Sequence, residues 1–161
     1  MKLYHGSTVA VRKPIVTRGR TTVDFGQGFY TTTSYEQARK WAELKRKRIS
    51  ASHAIVTEYE VADDLFDGRY TTLFFSGPTH EWLDFVVANR KGQHKGHYDL
   101  TMGPVANDQL YATIRLYEQG VVTIDSFNFV LEHPIERVNY NNFTYNPNIS
   151  KIYLHGHSHR F

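Results

Sequence analysis

The stretch Asp24-Phe25-Gly26-Gln27-Gly28-Phe29-Tyr30-Thr31-Thr32, followed by Ser34-Tyr35-Glu36-Gln37-Ala38-Arg39-Lys40-Trp41-Ala42, decides how the chain is read. Two glycines one residue apart give a tight turn with bare backbone. Phe29-Tyr30-Thr31-Thr32 is β-rich in composition. Alternation along a strand sends Phe29 and Tyr30 to opposite faces. One enters the core, and the other can face a cleft and stack on a flat ring. Ser34 with Gln37 makes a capping-box pattern. Tyr35, Ala38, Trp41 and Ala42 then recur at helical spacing, which predicts a helix from Tyr35 to about Arg48.

On the N-terminal side of this unit, Lys2–Ser7 reads as a short strand, and a polar, irregular stretch connects it to Asp24. On the C-terminal side, Ala54–Val61 and Arg69–Phe75 read as strands. Thr79 can cap a helix whose apolar side is Trp82, Phe85 and Val86, ending near Gly92. Tyr98–Met102 is a strand entering the Gly103-Pro104 turn. A helix from Asn107 to Glu118 carries Leu110, Ile114 and Tyr117 on one side, and Gly120 stops it. A short helix from Thr123 turns Phe127, Val130 and Leu131 inward and ends before Pro134. Asn141–Tyr145 and Lys151–His157 look extended. Trp41 and Trp82 sit among apolar residues at helical spacing and read as core. Helices and strands do not alternate strictly, which argues against a doubly wound parallel sheet. The pattern suits an α+β domain with a split, mostly antiparallel sheet and flanking helices.

Composition bounds the rest. A chain of 161 residues suits one domain spanning 1–161, long enough to bury a sizeable core. It has no cysteine, which excludes a disulfide framework and a thiolate metal site. It has neither a signal-peptide-like start nor a run of about 20 apolar residues, so the expectation is a cytoplasmic protein without a membrane partner. A net charge of +3 permits an anionic partner without demanding one. Six Lys or Arg fall within Arg39–Arg48. The plain reading is a solvated helix face, and the sharper one is a nucleic-acid surface, although no nucleic-acid-binding motif accompanies it.

Three short stretches carry candidate chemistry. In Leu3-Tyr4-His5-Gly6-Ser7, a His near a strand end is followed by Gly, which exposes an imidazole beside an approachable backbone. The Asp24–Thr32 stretch offers the aromatic pair. In Asn141-Asn142-Phe143-Thr144-Tyr145-Asn146, Asn142 and Thr144 share a face. Taken singly, each also reads as ordinary structure. His155, His157 and His159 would share a strand face as a Zn²⁺ or Ni²⁺ site, but a solvent-exposed tail is the plainer expectation. Asp99 and Asp108 read as turn caps, or as bases for an acceptor nucleophile.

Together and in this order, the motifs resemble a bacterial family of short ADP-ribosyltransferase-like proteins, related in motif to the diphtheria-toxin and poly-ADP-ribose polymerase branch. The matching stretches are Leu3–Ser7, Asp24–Thr32, Gln37-Ala38 with Trp41-Ala42, Glu81–Arg90 and Tyr98–Asp108. The resemblance implies an ADP-ribosyltransferase-like fold with a His-Tyr-Glu type of site. It also implies an enzyme that uses NAD as substrate and modifies a macromolecular acceptor, protein or nucleic acid. Small members look like toxins of toxin–antitoxin or phage-conflict systems, so an antitoxin partner is implied.

Residue by residue, the resemblance places His5 on a ribose hydroxyl of NAD, the Gly6 backbone on the nicotinamide carboxamide, and Tyr30 on the nicotinamide ring. Ser7, Gly28 and Thr31 flank these positions as NAD-lining residues. Arg20 is nominated for the pyrophosphate by charge. The third position, usually Glu or Gln, falls on Asn142, with Tyr140 as the alternative register. NAD cleavage passes through a cation-like ribosyl state that a carboxylate stabilises by Coulomb attraction, whereas an amide supplies only a dipole. Losing one such partner typically costs about 3 kcal/mol or more of barrier. Proximity of a well-held nucleophile offsets part of that. The rival readings are a degenerate NAD- or nucleotide-binding module, an NAD glycohydrolase, and an RNA 2′-phosphotransferase. The last needs several arginines on phosphate, where only Arg18 and Arg20 can be nominated.

Overall fold

The computed structural model describes residues 1–16, 19–62, 67–104, 108–123, 142–145 and 155–160. Among them, ten elements follow in chain order: β1 (Lys2–Ser7), β2 (Phe29–Thr32), α1 (Tyr35–Arg48), β3 (Ile55–Glu60), β4 (Thr72–Phe74), α2 (His80–Arg90), β5 (Leu100–Gly103), α3 (Asp108–Glu118), β6 (Asn142–Tyr145) and β7 (His155–Arg160). The strands form one sheet in the order β4-β5-β6-β2-β1-β3-β7. All neighbours are antiparallel except β4 and β5. A parallel pair needs a crossover, and α2 lies in the connection between those two strands. The class is α+β, with a mostly antiparallel sheet; the expected split is not seen, since β2–β1 pairing and the β6 ladder join all seven strands in one sheet. No helix among the described residues is long and apolar enough to cross a membrane.

Helix α1 starts as its sequence predicts. The Ser34 side chain accepts the Gln37 N–H at 3.2 Å. The other half of the capping box is replaced, because the Gln37 side-chain oxygen Oε1 accepts from the Thr32 hydroxyl at 2.6 Å, and that hydroxyl accepts the Ser34 N–H at 3.1 Å. The end of β2 and the start of α1 are thereby one hydrogen-bonded corner. Helix α2 is capped by Thr79, whose hydroxyl accepts the Trp82 N–H at 3.3 Å.

The core lies in two clusters. Leu3, Phe29, Tyr59, Val61 and Leu100 fill one. Phe25, Phe75, Trp82, Leu83, Val86 and Ile114 fill the other, with Tyr30 and Phe85 packed against it half-buried. Trp82 is fully buried, and its indole N–H reaches the Pro104 carbonyl at 2.9 Å.

Three expectations need correction. Trp41 is not core but 50% exposed, with the Arg48 guanidinium 5.5 Å above its ring. The stripe of α1 that meets the sheet is Ala38 and Ala42, both buried. A Cβ placed on Gly6 would sit 2.0 Å from the Ala38 carbonyl oxygen, so the contact admits only small residues and turns the indole outward. Residues 155–160 are not a loose tail, since their backbone pairs along β3 from Glu60↔His155 to Ile55↔Arg160. The strand β4 is shorter than Arg69–Phe75, because the Asp99 carboxylate caps the Thr71 N–H at 2.8 Å just before it. The predicted helix from Thr123 to Pro134 lies outside the described residues beyond its first position, as do Arg18, Tyr140, Asn141 and the 151–154 part of the last extended segment.

Candidate functional site

β1 has two unlike edges. Toward β3 the ladder runs through six pairs, from Lys2↔Glu60 to Ser7↔Ile55. Toward β2 the described residues give one pair, Tyr4↔Thr32. Past it no further pair forms, and the His5 Nδ1 lies 2.7 Å from the Tyr30 carbonyl oxygen. A carbonyl can only accept, so Nδ1 carries the proton and a neutral His5 ring presents Nε2 as an acceptor. Burial holds the His5 pKa below the usual 6.5, and the Lys45 charge adds to that, while the bond to Tyr30 opposes it. The neutral tautomer is thus favoured near pH 7.

The pairing of Tyr4 with Thr32 fixes the faces. Alternation from that pair puts His5 with Phe29 and Thr31 on one face, and Tyr30 with Tyr4 and Thr32 on the other. The rings of His5 and Phe29 are 4.5 Å apart, which agrees with this. His5 and Tyr30 therefore meet through the Tyr30 backbone, and their rings lie on opposite faces of the sheet.

The Tyr30 hydroxyl is tied to the preceding turn. It donates to the Gly26 carbonyl at 2.8 Å and accepts the Phe25 N–H at 3.0 Å. The turn is also held from α2. Arg90 donates to the Asp24 carboxylate through Nε at 2.8 Å and an Nη at 2.6 Å, with both side chains nearly buried. Gly26 has φ +72°, and a Cβ there would lie 2.6 Å from the Asn89 side-chain oxygen. The positive φ favours glycine, and a larger residue would also have to displace the Asn89 side chain.

The remaining expected site residues fall as follows. Ser7 is buried and accepts from the Lys45 ammonium at 3.1 Å. Thr31 is buried in β2. Gly28 is buried, and the Gly19 backbone lies against it, so the bare backbone of the turn meets the chain itself. Arg20 is exposed one residue beyond Gly19. Asn142 pairs by backbone register with Thr32 on one side and Gly103 on the other, while Thr144 is the residue across from Tyr30. His5, Gly6 and Ser7 lie on β1, Tyr30 and Thr31 on the neighbouring β2, and Asn142 one strand further on β6.

Sequence reasoning missed three contributors. Asn89 and Arg90 read only as the end of a helix, although Arg90 is the last residue of a stretch that the family resemblance includes. Lys45 was hidden in the basic run. Its signal is the spacing Ala38, Ala42, Lys45, which puts it on the stripe facing the sheet. Asp99 is a turn cap, and Asp108 is the first residue of α3.

Residues 1–144 match the family described as Protein of unknown function (DUF3990). No curated protein matches the chain, and no solved structure does.

Proposed function

The chain belongs to the DUF3990 family, and we propose that it is an NAD-dependent mono-ADP-ribosyltransferase acting on a macromolecular target, with an ADP-ribosyltransferase-like fold. The observation that carries this reading is the break in the ladder between β1 and β2, where His5 holds the Tyr30 carbonyl. A neutral imidazole whose Nδ1 is occupied offers Nε2 to a ribose hydroxyl, which is the role the motif resemblance gives His5. Gly6 lies beside the break and offers backbone to the carboxamide. The Tyr30 ring, anchored through its hydroxyl, lies on the other face and offers its plane to nicotinamide. NAD is the substrate, and the leaving nicotinamide departs as the target nucleophile takes the ribosyl carbon. The site would serve a toxin or phage-conflict protein of the cytoplasm, with a protein antitoxin as partner.

Asn142 favours a second reading, a module that holds NAD or a nucleotide end without turnover. Its backbone position beside Thr32 keeps it one strand from the break, and its amide lacks the charge that stabilises a ribosyl cation.

Labelled NAD incubated with the protein and a mixed cell extract separates the two. Label entering protease- or nuclease-sensitive material supports the transferase and assigns the acceptor. Tight NAD binding without transfer supports the module. Transfer that persists in Tyr30→Ala would remove Tyr30 from the nicotinamide site. Asn142→Glu should raise turnover, and an unchanged rate would point to Tyr140 or another residue as the third member.

A further inference from the structure

Lys45 is the odd member of the basic run. Arg39 pairs with Glu36 and Arg46 with Glu43, each within its own helix face. Lys45 instead lies on the stripe of α1 that meets the sheet, one turn beyond Ala42, and donates to the Ser7 hydroxyl at 3.1 Å. No carboxylate pairs with it among the described residues. An ammonium carries three donors, and Ser7 takes one. Ser7 is 2% exposed, so its hydroxyl fixes the amine at the end of β1. His5 stands two residues back on the same face of that strand, about 7 Å along it. The Lys45 charge is felt at His5, where it disfavours the imidazolium.

A fixed cation without a carboxylate, whose charge reaches a neutral hydrogen-bond acceptor at His5, fits a ligand that carries both a hydroxyl-bearing sugar and an anion. We propose that Lys45, positioned by Ser7, is the anion-binding residue of the β1 end and takes the diphosphate of a nucleotide whose sugar meets His5. The assignment rests on the NAD reading for the sugar and stands apart from it for the anion. It replaces Arg20 as the diphosphate contact, since Arg20 is exposed and Lys45 is anchored.

Calorimetric titrations of the whole chain with ADP-ribose, inorganic pyrophosphate and nicotinamide riboside test it. Wild type, Lys45→Met, Lys45→Arg and Ser7→Ala are compared, with melting curves to verify folding. Lys45→Met should weaken ADP-ribose and pyrophosphate by tenfold or more, the scale of one charged hydrogen bond. It should leave nicotinamide riboside within about twofold, because that ligand lacks the diphosphate. Lys45→Arg should recover part of the loss, and Ser7→Ala should lose part of the affinity by releasing the amine. Added salt should weaken pyrophosphate in wild type more than in Lys45→Met. Equal affinity of wild type and Lys45→Met for both phosphate ligands overturns the assignment, and so does wild type that binds neither. Lys45-dependent pyrophosphate binding without any uptake of nicotinamide riboside or NAD keeps the anion site and removes the NAD reading.

Discussion

The two edges of β1 are made differently from the same six residues. Against β3 the strand is zipped along its whole length, and Leu3 meets Tyr59 in the buried cluster. Tyr59 also donates its hydroxyl to the Val11 carbonyl, and Thr57 accepts the Val11 N–H at 3.2 Å, so the chain leaving β1 is stitched back to β3. Against β2 one pair forms, and then a side chain takes over from the backbone. What steadies β2 comes instead from its four-pair ladder with β6, from α1 through Gln37, and from α2 through the Arg90–Asp24 pair on the preceding turn. The β3 edge is therefore a stability element. The β2 edge is a break in the ladder that the His5 side chain bridges.

The most severe way to break the contrast is Gly6→Val. Any Cβ there meets the α1 backbone at Ala38 and Ala42, which cannot give way as a flexible side chain would. Both edges should suffer, with a loss of about 3 kcal/mol or more and a non-native circular dichroism spectrum. A near-normal denaturation midpoint would mean that α1 is not seated on β1 as described. Arg90→Ala strikes the β2 edge alone. It leaves the Asp24 carboxylate nearly buried without its guanidinium, a loss of roughly 3 kcal/mol. Amide exchange should quicken at Phe25 and Gly26 beyond the global change, while the β3 amides follow the global change only. Uniform quickening would refute the separate support of the two edges. Tyr30→Phe is milder. It strands the Phe25 N–H and half of the Gly26 carbonyl's capacity, at about 1–2 kcal/mol, and should loosen the same turn by exchange.

Much of this frame was legible in the sequence because local physics dominates it. Ser34 and Thr79 cap their helices as their patterns predict, and Gly120, with φ +71°, closes α3. The alternation of Phe29 and Tyr30 put them on opposite faces in advance, and the structure shows which is which: Phe29 is buried in one core cluster, and Tyr30 packs half-buried against the other. The missed features are long-range. Trp41 looked apolar and inward until Gly6 brought α1 too close to the sheet for anything but alanines. The Arg90–Asp24 pair joins residues 66 apart, and no pattern within either segment announces it. Lys45 was read by its charge alone, whereas its position on the helix stripe decides its partner. The backbone neighbours of Asn142 became visible only through strand register, which pairing sets and sequence periodicity does not.

The smallest effect concerns His5. Burial lowers the folded imidazole's pKa below 6.5, and Lys45 adds to this by repulsion. The unfolded chain keeps the ordinary value. Between the two values the unfolded state binds more protons, so stability is fully present above pH 6.5 and declines as pH falls through the folded pKa. The slope for one proton is at most about 1.4 kcal/mol per pH unit. His5→Gln should flatten the stability difference between pH 7.5 and 5.5 relative to wild type, with the other histidines common to both. In NMR the His5 ring should titrate below 6.5, and a midpoint at or above that would contradict the burial argument. Protonation leaves the Nδ1 bond to Tyr30 intact, since that nitrogen donates in both forms, but it removes the Nε2 lone pair. Acid should therefore cost ligand affinity before it loosens the β2 edge. Loss of the Tyr30 contact at the same pH as loss of binding would mean that His5 serves the latch alone.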